Sequence, residues 1–216
     1  MFFNKKTAST SSNHQPPVEH AGLVKEAWWF FFAVIGVYLG LILATYYPND
    51  PSWSHSASEN VAIHNAGGVV GAWMSDMLLY IFGFSAWWWA VFAFYAIWLV
   101  YLRLDVVALG RKPLLFVNFF GFGMLLLASS CLEYGHLISL PAQLPQNPGG
   151  VLGEILDQLL RASIGYLGAT LILLFSMAVG FSLFTGWSWI LIVEKFGSGL
   201  IGTYQFLIAK WQDRKD

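Results

Sequence analysis

Apolar residues run along this chain in four long stretches, Ala27 to Tyr46, Met77 to Leu102, Pro113 to Leu132 and Tyr166 to Val193, with the polar residues held between them. A helix needs roughly 20 mostly apolar residues to cross a bilayer, and each stretch is long enough. No Asp, Glu, Lys, Arg or His interrupts their interiors. The pattern predicts an all-α membrane protein with four transmembrane helices. Composition agrees: 57% of the residues are hydrophobic, 11% are charged, and the mean hydropathy is +0.59, outside the range of soluble domains. The first stretch is no cleaved signal peptide, because it starts well inside the chain, is too long and lacks a small-residue cleavage site.

A second pattern lies over the first. Gly67-Gly68-Val69-Val70-Gly71 is repeated as Gly149-Gly150-Val151-Leu152-Gly153, and each copy leads through an apolar run to another glycine, Gly83 or Gly165, at the same interval. The repeat predicts a helical hairpin used twice, in parallel. Before each Gly-Gly pair, prolines break the chain: Pro48 and Pro51 in the first connection, Pro141, Pro145 and Pro148 in the second. After each pair, apolar residues at helical spacing predict a short amphipathic helix at the membrane surface. In the second copy Glu154, Asp157, Gln158 and Arg161 form its polar side.

Charge sets the orientation. Lys5, Lys6, Lys25, Arg103, Arg111, Lys112, Lys195, Lys210, Arg214 and Lys215 fall on one side of the four stretches, and of the basic residues only Arg161 falls on the other. Basic residues stay on the cytoplasmic side, so both termini are expected inside and both Gly-Gly stretches in periplasmic loops. Three regions follow: a polar, disordered cytoplasmic tail over 1–24, a four-helix transmembrane domain over 25–195, and an amphipathic cytoplasmic helix leading to a linker over 196–216. Gly36 and Gly40, at the spacing that lets two helices approach closely, are candidate packing residues. The indoles of Trp87, Trp88 and Trp89 point about 100° apart on a helix, so they serve packing rather than one ligand cage.

Candidate chemistry is sparse. The only Lys followed by Ser or Thr is Lys6-Thr7, with no glycine before it, so no phosphate-binding loop is present. Gly83-Phe84-Ser85-Ala86 is the nearest approach to a nucleophile turn, but no histidine lies in a spanning stretch to activate the serine. His55, His64 and His136 match no metal spacing and read as loop histidines. Cys131 has no partner in the chain and reads as a small apolar helix residue. The scattered basic residues make no duplex-binding patch. Catalytic, cofactor and metal sites are therefore all expected to be absent. Duplicated hairpins also occur in channels and transporters, which is the alternative reading, but an ion path calls for intramembrane ionisable groups that these stretches lack.

The loop Tyr46-Tyr47-Pro48-Asn49-Asp50-Pro51-Ser52-Trp53-Ser54, together with His64-Asn65-Ala66-Gly67-Gly68-Val69-Val70-Gly71-Ala72-Trp73, resembles the N-terminal membrane domain of FtsK/SpoIIIE-type DNA translocases, in particular the FtsK branch of Gram-negative bacteria. Leu183-Phe184-Thr185-Gly186-Trp187-Ser188-Trp189 looks like the same family, and the likeness covers about residues 25 to 195. The resemblance implies a multi-pass inner-membrane anchor at the division septum, touching lipid and other cell-division membrane proteins. It also implies a motor that uses ATP and Mg, forms a hexamer and pumps DNA, so that chromosome partition is coupled to division. That motor is absent from these residues, and no cofactor is expected in this segment. The matching motif positions are Asp50, Pro51, Ser52, Trp53, Gly67, Gly68 and Gly71, to which the repeat adds Gly149, Gly150 and Gly153.

Overall fold

The computed structural model describes residues 18–54, 62–108, 115–137 and 143–212. Its regular structure is helical throughout: α1 (Val18–Ala44), α2 (Gly68–Phe82), a 3-10 turn (Gly83–Ala86), α3 (Trp87–Ala108), α4 (Leu115–Leu137), α5 (Gly150–Thr185) and α6 (Trp189–Gln212). Among the described residues four segments are long and apolar enough to cross a membrane: Glu26–Ala44, Gly68–Leu99, Phe116–Leu137 and Gly150–Thr185. Residues 1–17 of the expected tail lie outside the described residues, as do His55, Glu59, Arg111, Lys112, Pro113, Pro141, Arg214 and Lys215.

Several boundaries differ from the sequence pattern. α1 begins at Val18, so residues 18–24 are helical although their composition predicted a tail. Each Gly-Gly pair opens a helical segment that a positive-φ glycine interrupts before the rest of the apolar run: α2 ends at Gly83 and the 3-10 turn, and α5 is kinked at Gly165. The fourth apolar stretch does not continue to Val193. α5 stops at Thr185, where Gly186 takes a left-handed cap (φ 72°) and its N–H donates to the Ser182 carbonyl at 2.8 Å. An apolar run cannot announce this stop, because hydropathy does not register backbone handedness.

Asp76, Glu133, His136, Glu154, Asp157 and Arg161 stand on the same helices as the apolar stretches, beyond the ends of those stretches. Each of the acids has a polar partner, as such groups require away from water. Arg161 Nε lies 2.6 Å from Asp157 Oδ2, and Asn147 donates to Glu154 at 3.0 Å.

α4 and α5 share the largest interface and α1 packs mainly on α3. The centre is an aromatic slab: Phe122 and Phe184 are buried, with Trp89, Phe92 and Tyr95 against them. Of the three adjacent tryptophans, Trp87 is exposed while Trp88 and Trp89 pack inward, as their angular separation requires. Cys131 is fully buried beside Ala128 and Leu173, the apolar role expected of it. The expected Gly36 and Gly40 pair divides. A Cβ on Gly36 would come 3.1 Å from the Phe94 ring, whereas Gly40 faces open space. Close helix approach occurs instead at Gly121 and Gly180, where a Cβ would lie 2.5 Å from Phe184 N and 2.7 Å from Leu125 N. Neither has a partner glycine four residues away, so spacing alone does not reveal them.

Candidate functional site

The two Gly-Gly turns stand at one end of the bundle, with the polar residues of the described part concentrated around them. Each turn is closed in the same way. Gly68 N–H donates to the Asn65 carbonyl at 2.9 Å and Gly150 N–H to the Asn147 carbonyl at 2.8 Å. Gly67 and Gly149 stand at the N-caps of α2 and α5 without side-chain caps, and Gly68 and Gly150 have φ of 64° and 63°. Asn and Gly fit here because a turn into a helix needs a local acceptor and then a left-handed residue.

Around the first turn the motif residues form a strap held by two buried carboxylates. Asp50 is 1% exposed and accepts from the backbone N–H groups of His64 and Asn65, at 2.9 and 2.8 Å, and from His64 Nδ1 at 3.1 Å. Burial alone would raise the Asp50 carboxyl, but these donors outweigh it and hold it below the ordinary carboxylate range. Asp76, fully buried, accepts from Ser54 N–H at 2.7 Å and Ser54 Oγ at 3.0 Å, and from the Tyr46 hydroxyl at 3.3 Å. Burial and then the Asp76 charge push the Tyr46 hydroxyl above its usual range. Pro51 and Ser52 are half-buried between these anchors, and Trp53 stays 47% exposed with its ring edge-on to Tyr80 at 4.9 Å.

Asn65 joins the pieces. Its side-chain nitrogen donates to the Ile42 carbonyl at the end of α1 (2.9 Å) and to Ser75 Oγ on α2 (3.2 Å), while its oxygen accepts from Gly67 N–H at 2.9 Å. His64 is a loop residue with partners: it bonds Asp50 and its ring meets that of Tyr47 at a tilt of 40° with centroids 4.4 Å apart. His136 likewise bonds the Leu132 carbonyl and the Tyr166 hydroxyl, both at 3.0 Å. Among the described residues no three His, Cys, Asp or Glu side chains gather as a metal site.

The second turn is seated by backbone contact. A Cβ on Gly149 or Gly153 would strike the Ser130 carbonyl oxygen of α4. Gly83, the break between α2 and α3, has φ 62° and sits against Pro148 and Gly150, and the next amide, Phe84 N–H, donates to the Pro148 carbonyl at 2.7 Å. No residue but glycine fits at 83, because a side chain would meet that carbonyl and strain the backbone. The turn after Gly83 aims Ser85 into the bundle, where its Oγ lies 2.6 Å from Ser129 Oγ and 2.7 Å from Glu133, whose other oxygen accepts Ser85 N–H at 2.9 Å. An open groove of about 470 Å³ runs beside Glu133, between α4 and α5.

The motif Leu183 to Trp189 ends α5. Its last carbonyls are satisfied from neighbouring helices, Phe184 O by Asn118 Nδ2 at 2.7 Å and Thr185 O by the Tyr95 hydroxyl at 3.0 Å. Trp189 Nε1 then reaches back to the Ala178 carbonyl at 2.9 Å. Sequence reasoning missed Asn65, Asn118 and Glu133 as anchors. Asn65 could have been found, because Asn147 precedes the second Gly-Gly pair at the same distance; the other two carry no pattern.

The family described as the 4TM region of DNA translocase FtsK/SpoIIIE matches residues 21–197. The chain is 38% identical over 199 residues to DNA translocase FtsK 2 of Ralstonia nicotianae, covering 90% of this chain and 25% of that protein. It is 33% identical over 198 residues to DNA translocase FtsK of Vibrio vulnificus, covering 89% of this chain and 19% of the relative. The chain thus spans a quarter or less of the length of these relatives. No solved structure matches. With four apolar spans and a family match that takes in all of them, the chain belongs to the FtsK/SpoIIIE family of DNA translocases through its four-span membrane region.

Proposed function

We propose that this chain is the membrane anchor and division-machinery interaction domain of a septal DNA translocase, set in the bacterial inner membrane with both termini in the cytoplasm. The carrying observation is the match over residues 21–197 within relatives named as DNA translocases. DNA pumping, ATP and Mg use and hexamer formation belong to a motor whose nucleotide-binding turn is not among these 216 residues. The four spans read as two parallel hairpins. Ten basic residues on one side support the orientation, which puts the Asp50 to Trp53 strap and both Gly-Gly turns in the periplasm. Exposed Trp53, Val69, Val70 and Trp73 are the side chains available there to other division proteins.

The channel reading is weaker than this one. Glu133, the acid on α4, has a hydrogen bond from Ser85 on each oxygen, so the carboxylate beside the groove is tied to the Gly83 turn rather than free. The anchor reading is tested in cells by replacing this segment of the whole protein with an unrelated four-span anchor. Fluorescent fusions should then spread around the membrane and lose septal enrichment. Undiminished enrichment at the septum would sink the reading.

A further inference from the structure

Four glycines with positive φ recur at one interval, Gly68 and Gly83 in the first half and Gly150 and Gly165 in the second, and they make only one of the two contacts that their repetition offers. Within the chain the Gly83 break is buried against the Pro148 to Gly150 turn, and Phe84 N–H meets the Pro148 carbonyl at 2.7 Å. Among the described residues the other two members of the set meet no such partner. Gly165 (φ 73°, ψ 173°) breaks α5, is exposed, and no described residue lies within 4 Å of where its Cβ would be. The same is true of the space beside Gly68, and Ala66, which holds the place of Pro148, is exposed. One break therefore lacks a turn and one turn lacks a break.

We propose that the Gly165 break of one copy of this chain seats on the Ala66 to Gly68 turn of a second copy, repeating between chains the contact that Gly83 makes within one. The two surfaces stand at matching places in the two halves of the repeat, as Gly83 and Gly150 do. Their chemistry also matches. Ile42 meets Gly67 and Gly71 where Ser130 meets Gly149 and Gly153, so Leu41 takes the place of Ser129. Leu167 likewise takes the place of Ser85. Inside the chain the pair is polar, with Ser85 and Ser129 at 2.6 Å; across copies it is apolar, with Leu167 76% exposed and Leu41 40% exposed. Phe84 N–H, the counterpart of Tyr166 N–H, bonds the Pro148 carbonyl within the chain, and the Ala66 carbonyl of a second copy stands in the matching place for Tyr166.

The contact is heterologous, so it propagates by rotation from copy to copy. Because every copy must keep its orientation in the bilayer, the rotation axis lies along the membrane normal, and the product is a ring or an arc rather than a filament.

Disulfide trapping in native membranes tests this with the whole protein on a Cys131→Ala background. Ala66→Cys and Tyr166→Cys are placed on separately tagged copies, and Phe84→Cys with Pro148→Cys in one chain serves as the reference pair. Oxidation should link the two tagged copies at least tenfold more than either variant with itself, and the doubly substituted chain should give a ladder of dimers, trimers and larger species. Ala66→Trp, at an exposed position, should reduce linkage tenfold while the Phe84–Pro148 reference still forms. Linkage of Ala66→Cys to itself in preference would mean a face-to-face dimer and overturn the proposal. So would a closed monomer in the doubly substituted chain, or no linkage where the reference pair oxidises.

Discussion

The two Gly-Gly turns share a backbone path and close packing at their first glycine, and they differ in what is added to it. Around the first, buried carboxylates do the holding: Asp50 collects the N–H groups of His64 and Asn65, and Asp76 collects Ser54. Around the second, the turn is pressed against the Ser130 carbonyl of α4 and the Gly83 break, and glycine is required because there is no room for a side chain. A turn at the end of a long connection can be tied by side chains reaching from that connection. A turn wedged between two helices has to be fixed by contact.

The two modes should fail differently. The largest effect is expected from Gly83→Val, which sets a branched side chain against the Pro148 carbonyl at positive φ. A loss of more than about 3 kcal/mol is expected, read as a collapse in membrane accumulation and in detergent melting temperature. Asp50→Ala should come next, at about 3 kcal/mol, since two buried backbone donors lose a charged acceptor. A melting temperature within a degree of the parent would show that the strap is not a tie.

Acid should separate the modes further. Because Asp50 is held below its ordinary range in the fold, its contribution is complete above the unfolded carboxyl value and is lost as pH falls through the folded one. Melting followed from pH 7 down past pH 4 should therefore decline, and Asp50→Asn should flatten that decline while leaving the second turn untouched. Ser85→Ala, which removes one hydrogen bond from Glu133, should cost about 1–2 kcal/mol. The smallest change is expected at Gly40→Ala, within about 0.5 kcal/mol of neutral, with Gly36→Ala costing more because the Phe94 ring must move. Equal effects at these two glycines would mean that α1 does not pack on α3 as described.

Hydropathy carried the four spans, and the repeated glycines carried the turns, because both are written as periodic features. What stayed hidden depends on residues distant in sequence. Glu133 and Asp76 look like loop acids until the helices lengthen to include them. Gly121 and Gly180 look ordinary until α4 and α5 are laid side by side. Asp50 stood out by resemblance, but its donors on the far side of a connection that includes residues 55–61 could not be read from it. Gly186, just past the end of α5, sits inside an apolar stretch, and only its left-handed backbone separates α5 from α6.

That joint has a mechanical consequence. α6 leaves the bundle through the link Gly186 to Ser188, whose first residue is left-handed, with Trp189 Nε1 on Ala178, Ser182 Oγ on the Trp187 carbonyl, Trp187 N–H on Thr185 Oγ1 and the Phe181–Trp189 ring contact across it. A pull along α6 loads these few bonds one after another, as in peeling, whereas the broad α4 and α5 interface would have to yield all at once. A joint fastened this sparingly would yield to such a pull before the bundle behind it does.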